Sequence, residues 1–220
     1  MGRMITLNRA DGGHLDAYLS DIDKSRPCVI VIQEWWGLND HIKSIVDRFE
    51  FEGFNALAPD LYHGRITKDA DEASHMMNGL DFPGAVHQDI AAALDYLKTI
   101  NPSVAVMGFC MGGALTIGAA VRLEGFKAAV CFYGVPPKAF AHPADIKIPF
   151  QGHFGRKDDW VTPAVVADLE ASMTKAGNPP EVYSYDADHA FFNKTRPEVY
   201  DAEASEQAWT RMMAFLREKL

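Results

Sequence analysis

Residues 103–113 read Ser103-Val-Ala-Val-Met-Gly108-Phe-Cys110-Met-Gly112-Gly113, an apolar run that passes straight into a cysteine flanked by glycines. The spacing is G-x-C-x-G. A strand over 103–107 and a helix over 111–123 predict a tight strand-to-helix turn with Cys110 at its apex, a nucleophile elbow with cysteine where serine is usual. Such a turn holds its apex residue in a strained backbone conformation and lifts the side chain above the sheet. Glycines two residues to either side let neighbouring backbone pass without a Cβ clash. The helix N-terminus favours a thiolate and a developing oxyanion alike, and the Met111 N–H would supply half of an oxyanion hole. A buried structural cysteine in a glycine-rich turn is the competing reading. The position between a strand and a helix favours the elbow.

Outward from the elbow, the chain alternates short apolar runs with longer amphipathic segments. Residues 3–8 and 14–19 predict a hairpin around Asp11-Gly12-Gly13. Pro27 to Gln33 is an unbroken apolar run of the length of a fully buried strand. Ile42, Ile45, Val46 and Phe49 recur at helical spacing in a segment that Gly53 ends, and Phe54 to Ala58 reads as the next strand. Segment 63–82 is polar and irregular, an excursion expected to cover one end of the sheet. A helix is predicted from Pro83 to Ile100, with Val86, Ile90, Leu94 and Leu97 on one face. Strands near 127–133, 147–153 and 181–185 alternate with helices near 163–176 and 201–219. Strands separated by helices imply βαβ units and a mostly parallel sheet covered on both faces. With no repeat or linker in 220 residues, residues 1–220 are expected to form one α/β domain.

Composition narrows the partners. The hydrophobic share of 48% and charged share of 23% are those of an ordinary globular chain, which excludes disorder, coiled coil and collagen-like repeats. The formal net charge of −9 disfavours nucleic acid, since the basic residues are scattered singly. No apolar run approaches the roughly 18 residues of a membrane span, and the start lacks the apolar core of a secretory signal. Cys28, Cys110 and Cys131 cannot all pair and none lies in a CxxC, so a reducing cytoplasm is expected.

Two further segments complete a reactive constellation. In Gly155-Arg156-Lys157-Asp158-Asp159-Trp160-Val161, a carboxylate after a strand can orient a histidine; Asp158 and Asp159 compete, and the Gly-x-x-Asp spacing prefers Asp158. In Asp186-Ala187-Asp188-His189-Ala190-Phe191-Phe192, His189 follows the last strand as the candidate general base. The order nucleophile, acid, histidine is that of the α/β-hydrolases. A metal on Asp186, Asp188 and His189 is a weaker reading because no second histidine cluster completes a site, so no metal or cofactor is expected. Ser103, Ser172 and Ser205 lack elbow glycines, which disfavours a serine nucleophile. Glu34, in Gln33-Glu34-Trp35-Trp36-Gly37, ends a buried strand, where an unpaired carboxylate is costly. The same loop would give the second oxyanion-hole N–H, from Trp35.

On the segments QEWWGLND, APDLYHG, GFCMGG, GRKDDWV and DADHAFFN, the chain resembles the dienelactone hydrolase family over about residues 28–215. That resemblance implies a single-domain α/β-hydrolase fold, a Cys110-Asp158-His189 triad, and a Glu34 that contacts the resting thiol and takes its proton. It implies hydrolysis of a small-molecule ester or lactone through a Cys110 acyl-enzyme, by a monomer or small homo-oligomer. Family enzymes that act on dienelactone hold its carboxylate with arginines, one from the cap and one four residues past the histidine. Here position 193 is Asn, and residues 66–82 contain no arginine. Arg65, Asn193, Trp36 and Phe191 are the expected substrate contacts, with Lys68 a possible substitute cation. The bulk of Trp35, Trp36, Phe191 and Phe192 suggests an apolar or aromatic pocket. The alternative is a non-hydrolytic protein on the same fold that binds a ligand or senses oxidants through Cys110.

Overall fold

The computed structural model describes residues 2–220. Eight strands form one sheet: β1 (Arg3–Asn8), β2 (His14–Leu19), β3 (Cys28–Ile32), β4 (Asn55–Pro59), β5 (Val104–Phe109), β6 (Phe126–Phe132), β7 (Phe150–Gly155) and β8 (Glu181–Tyr185). Their order is β1-β2-β4-β3-β5-β6-β7-β8. β2 pairs antiparallel with both β1 and β4, and every later pairing is parallel.

The unbroken apolar strands follow from this burial on two sides. In β3, Cys28, Ile30 and Ile32 face one core while Val29 and Val31 face the other. The first core is closed by α5 (Met111–Arg122) and α6 (Pro163–Lys175), the second by α1 (Asp40–Phe51) and α7 (Ala202–Lys219). This is the α/β-hydrolase architecture. From β3 the chain crosses to β4 on one side, while β5 lies on the other. The carboxyl ends of β3 and β5 therefore flank a topological switch point, the place where open α/β sheets bind ligands. Among the described residues, no helix is long and apolar enough to cross a membrane.

Three elements differ from the sequence expectation. The excursion over 63–82 carries a helix, α2 (Ala70–Asn78), capped by the Asp69 side chain on the Glu72 N–H; its buried face holds only Ala73 and Met76, too few to show a period. The helix expected from 83 to 100 is a short turn, α3 (Phe82–Gly84), then a π-helical turn (Ala85–Ile90), then α4 (Ala91–Lys98). The wider turn buries Asp89, which meets Arg9 at 3.0 Å. The seventh strand begins at Phe150 rather than near 147, because Pro149 has no N–H to give a ladder.

Candidate active site

Cys110 joins β5 to α5 with φ 54° and ψ −116°, a left-handed backbone that a side chain adopts only under constraint. The constraint is close packing. A Cβ on Gly108 would lie 2.3 Å from the Gly112 carbonyl oxygen, and one on Gly112 would lie 2.5 Å from those of Ile32 and Gln33. The Cys110 N–H is tied to the Phe132 carbonyl at 3.0 Å, and its own carbonyl accepts from Ala114 at 3.1 Å. The thiol is thereby held at the mouth of the switch point, 9% exposed.

The loops after β7 and β8 bring up the acid and the histidine. Asp158 is 2% exposed, whereas Asp159 points into solvent. One Asp158 oxygen accepts from the Trp160 and Val161 N–H groups at 2.7 and 2.8 Å, leaving the other for His189 Nδ1 at 2.7 Å. His189 Nε2 lies 3.1 Å from Cys110 Sγ. Backbone bonds from Arg156 to Tyr185 and from Lys157 to Ala187 tie the two loops together. The exposed indole of Trp160 stacks on the His189 ring with centroids 5.6 Å apart. Burial works against the imidazolium, but the hydrogen bonds to Asp158 and Cys110 outweigh it and carry His189 up to about 10. Burial opposes the Asp158 charge too, and the His189, Val161 and Trp160 bonds hold the carboxyl below its ordinary value.

Glu34 is 1% exposed, and its contacts differ from the expectation. Its hydrogen bonds come from Tyr133 Oη, at 3.3 Å, and Asn193 Nδ2, while Cys110 is bonded to His189. Asn193 Oδ1 accepts from the Thr195 N–H and hydroxyl, which turns its amide nitrogen toward Glu34. Burial pushes Glu34 up to about 7, against the pull of His189, Asn193 and Tyr133. The Met111 N–H opens α5, where helical N–H groups lack a carbonyl four residues back. Trp35 occupies the second position of a Glu34–Gly37 turn closed by a 3.3 Å bond, and the turn itself makes no use of its N–H.

A cavity of about 410 Å³ opens onto Cys110 and His189. Its walls come from Met77 and Phe82 of the excursion, from Tyr133 to Pro137 and Phe140 after β6, and from Trp160 and Val161. The four expected substrate contacts lie elsewhere. Phe191 is fully buried against Tyr133 and Tyr185, and Asn193 is fully buried on Glu34. Trp36 lies under the Arg196 guanidinium, 5.0 Å from its ring centre, beside a separate cavity that also takes Lys68. Arg65 pairs with Glu72 at 3.7 Å and faces a third cavity. The signal that could have found the true walls was topological: every loop after a parallel strand ends at this face.

Comparison with known proteins gives the family and the fold. The profile of the dienelactone hydrolase family matches residues 15–220. The chain is 35% identical to protein Usf of Aquifex pyrophilus, over the full length of both. It is 32% identical to an assigned carboxymethylenebutenolidase of Saccharolobus solfataricus, covering 94% of this chain and 95% of that protein. A crystal structure assigned as a dienelactone hydrolase, from Klebsiella pneumoniae, superposes with a TM-score of 0.88 at 25% identity, covering 99% of this chain and 98% of that one.

Proposed function

Because the chain belongs to the dienelactone hydrolase family, and by that membership is a carboxylic ester hydrolase, we propose that it cleaves an ester or lactone through an acyl-enzyme on Cys110, with His189 and Asp158 completing the triad. The observation that carries this reading is the unbroken chain from Asp158 Oδ2 to His189 Nδ1 at 2.7 Å and from His189 Nε2 to Cys110 Sγ at 3.1 Å.

His189, raised to about 10, holds its proton at neutral pH beside the sulfur, the setting in which a thiolate is stabilised. The thiolate attacks the carbonyl carbon, and the carbonyl π electrons move to an oxyanion held by the Trp35 and Met111 N–H groups. Collapse breaks the ester C–O bond, and His189 Nε2 gives its proton to the departing oxygen. Now neutral, His189 takes a proton from water, whose oxygen attacks the thioester. The thiolate leaves, the carboxylic acid departs, and the resting pair is restored. Glu34 acts as a positioning residue: its charge favours the His189 imidazolium, which in turn lowers the Glu34 value. Cys28, Cys110 and Cys131 are all free, which suits a reducing cytoplasm.

The test uses p-nitrophenyl acetate. Native protein should release nitrophenol and gain about 42 Da as an acetyl adduct, and Cys110→Ala should do neither while keeping its fold. Turnover that survives in Cys110→Ala would move the nucleophile elsewhere. No turnover and no adduct in the native protein would favour ligand binding or thiol oxidation instead.

A further inference from the structure

We propose that the Cys110 cavity selects uncharged, apolar esters or lactones and rejects substrates that carry a carboxylate, dienelactone itself included. The proposal rests on Cys110 being the nucleophile and adds the substrate class to that reading.

The cavity lining contains no lysine or arginine. Its titratable members are Cys110, His189 and Tyr133, and the His189 charge is already answered by the Asp158 carboxylate at 2.7 Å. The remaining surface is apolar, from the two methionines Met77 and Met111, the rings of Phe82, Phe140 and Trp160, and small aliphatic side chains, proline and glycine between them. Each cation that could have served is committed elsewhere. Arg65 pairs with Glu72, and Arg196 covers Trp36 beside Lys68 in another cavity. Lys138 pairs with Asp168 at 2.7 Å. Arg122 is engaged by the Phe140 ring and carbonyl.

A carboxylate entering this lining would lose hydration and meet no counter-charge. The charge that is present nearby has the wrong sign, since Glu34 lies behind the triad and the whole chain carries −9. An apolar group, by contrast, gains burial against the rings of Phe82, Phe140 and Trp160 and the thioethers of Met77 and Met111. At about 410 Å³ the cavity is well over twice the roughly 150 Å³ that suffices for a benzene ring, so a one- or two-ring ligand fits. The histidine sets its orientation. His189 must reach the departing oxygen, so the leaving group lies toward Trp160 and Val161, and the acyl part toward Met77, Phe82 and Phe140.

The experiment compares p-nitrophenyl hydrogen adipate with its methyl ester, each kcat/KM divided by the hydroxide rate. Native protein should favour the methyl ester by at least about 100-fold, which is about 2.7 kcal/mol of transition-state discrimination. Met77→Arg places a cation on the half-buried cap face and should narrow that ratio by about tenfold or more, while Met77→Gln, polar but uncharged, should leave it in place. Equal or better turnover of the acid, still dependent on Cys110, would overturn the selectivity and leave the hydrolase reading intact. A ratio that Met77→Arg does not move would overturn the assignment of selectivity to this cavity. Failure to hydrolyse either ester, with no adduct from p-nitrophenyl acetate, would sink the nucleophile reading and this inference with it.

Discussion

Replacing Glu34 by glutamine isolates the charge buried behind the triad. Burial pushes the folded-state value from 4.5 up to about 7. A group whose folded value is raised contributes stability that is fully present below its unfolded value and is lost as pH rises through the folded one. The interval from 4.5 to about 7, at about 1.4 kcal/mol per pH unit, corresponds to about 3 kcal/mol lost by the native protein as pH rises across it. Glutamine keeps the shape, can accept from Asn193 through its one oxygen and can turn its amide nitrogen to donate to Tyr133 Oη, but it has nothing to titrate. Its amide nitrogen adds an offset that does not depend on pH. The readout is therefore the change in the stability difference across pH, measured by urea unfolding at half-unit steps from pH 4.5 to 7.5. Relative to native protein, Glu34→Gln should gain about 3 kcal/mol over that range. Other buried groups cancel in the difference: His41, lowered to about 4, and His153, lowered to about 3, titrate alike in both proteins. His189 shares a field with Glu34, but it stays protonated to about 10, above the window. A stability difference that is flat with pH would refute the buried, half-ionised carboxylate.

Two other perturbations test the machinery around it. Gly112→Ala would place a methyl 2.5 Å from the Ile32 and Gln33 carbonyl oxygens, which are backbone and cannot give way; a loss of about 1–3 kcal/mol should appear as a lowered Tm, and an unchanged Tm would show that the elbow is looser than its geometry. The imidazolium of His189 is fully present well below its raised value and is lost as pH passes about 10, so the alkaline limb of kcat/KM for a simple phenyl ester should fall near pH 10. A limb near 6.5 would mean that Asp158 and Cys110 do not hold the proton.

How much of this was legible beforehand depends on how local each feature is. The elbow is written in five residues, although only Gly108 answers a contact within the turn, the Gly112 carbonyl, while Gly112 answers the Ile32 and Gln33 carbonyls at the end of β3. The parallel core was legible for a related reason: strands covered on both faces have no polar side to break the run, as all five residues of β3 show. The π-helical turn was hidden because Val86 and Ile90, four apart, suit an ordinary helix equally well. Glu34 announced itself as a carboxylate in an apolar setting, but its partners stand 99 and 159 residues away in the chain, and no spacing encodes them. The cavity walls fared worst. They converge from the excursion, the β6 loop and the β7 loop, so each residue looked like ordinary apolar surface until the fold brought them together.

Asn193 shows why adjacency to a motif is a poor guide to contact. It lies four residues past His189, where an arginine would be expected to reach a substrate carboxylate. Between them the loop turns through Ala190, with φ 62°, which drops Phe191 and Phe192 into the core and carries Asn193 beneath the triad. Its amide is then used up by Glu34 and Thr195. An arginine introduced there would meet the buried Glu34 carboxylate before it met any ligand, and it would fix that carboxylate in its charged form. Restoring acid recognition at position 193 would therefore disturb the triad, whereas a cation on the cap at Met77 would leave the Glu34 network untouched. The charge preference of this enzyme should accordingly move with substitutions on the cap and resist substitution in the histidine loop.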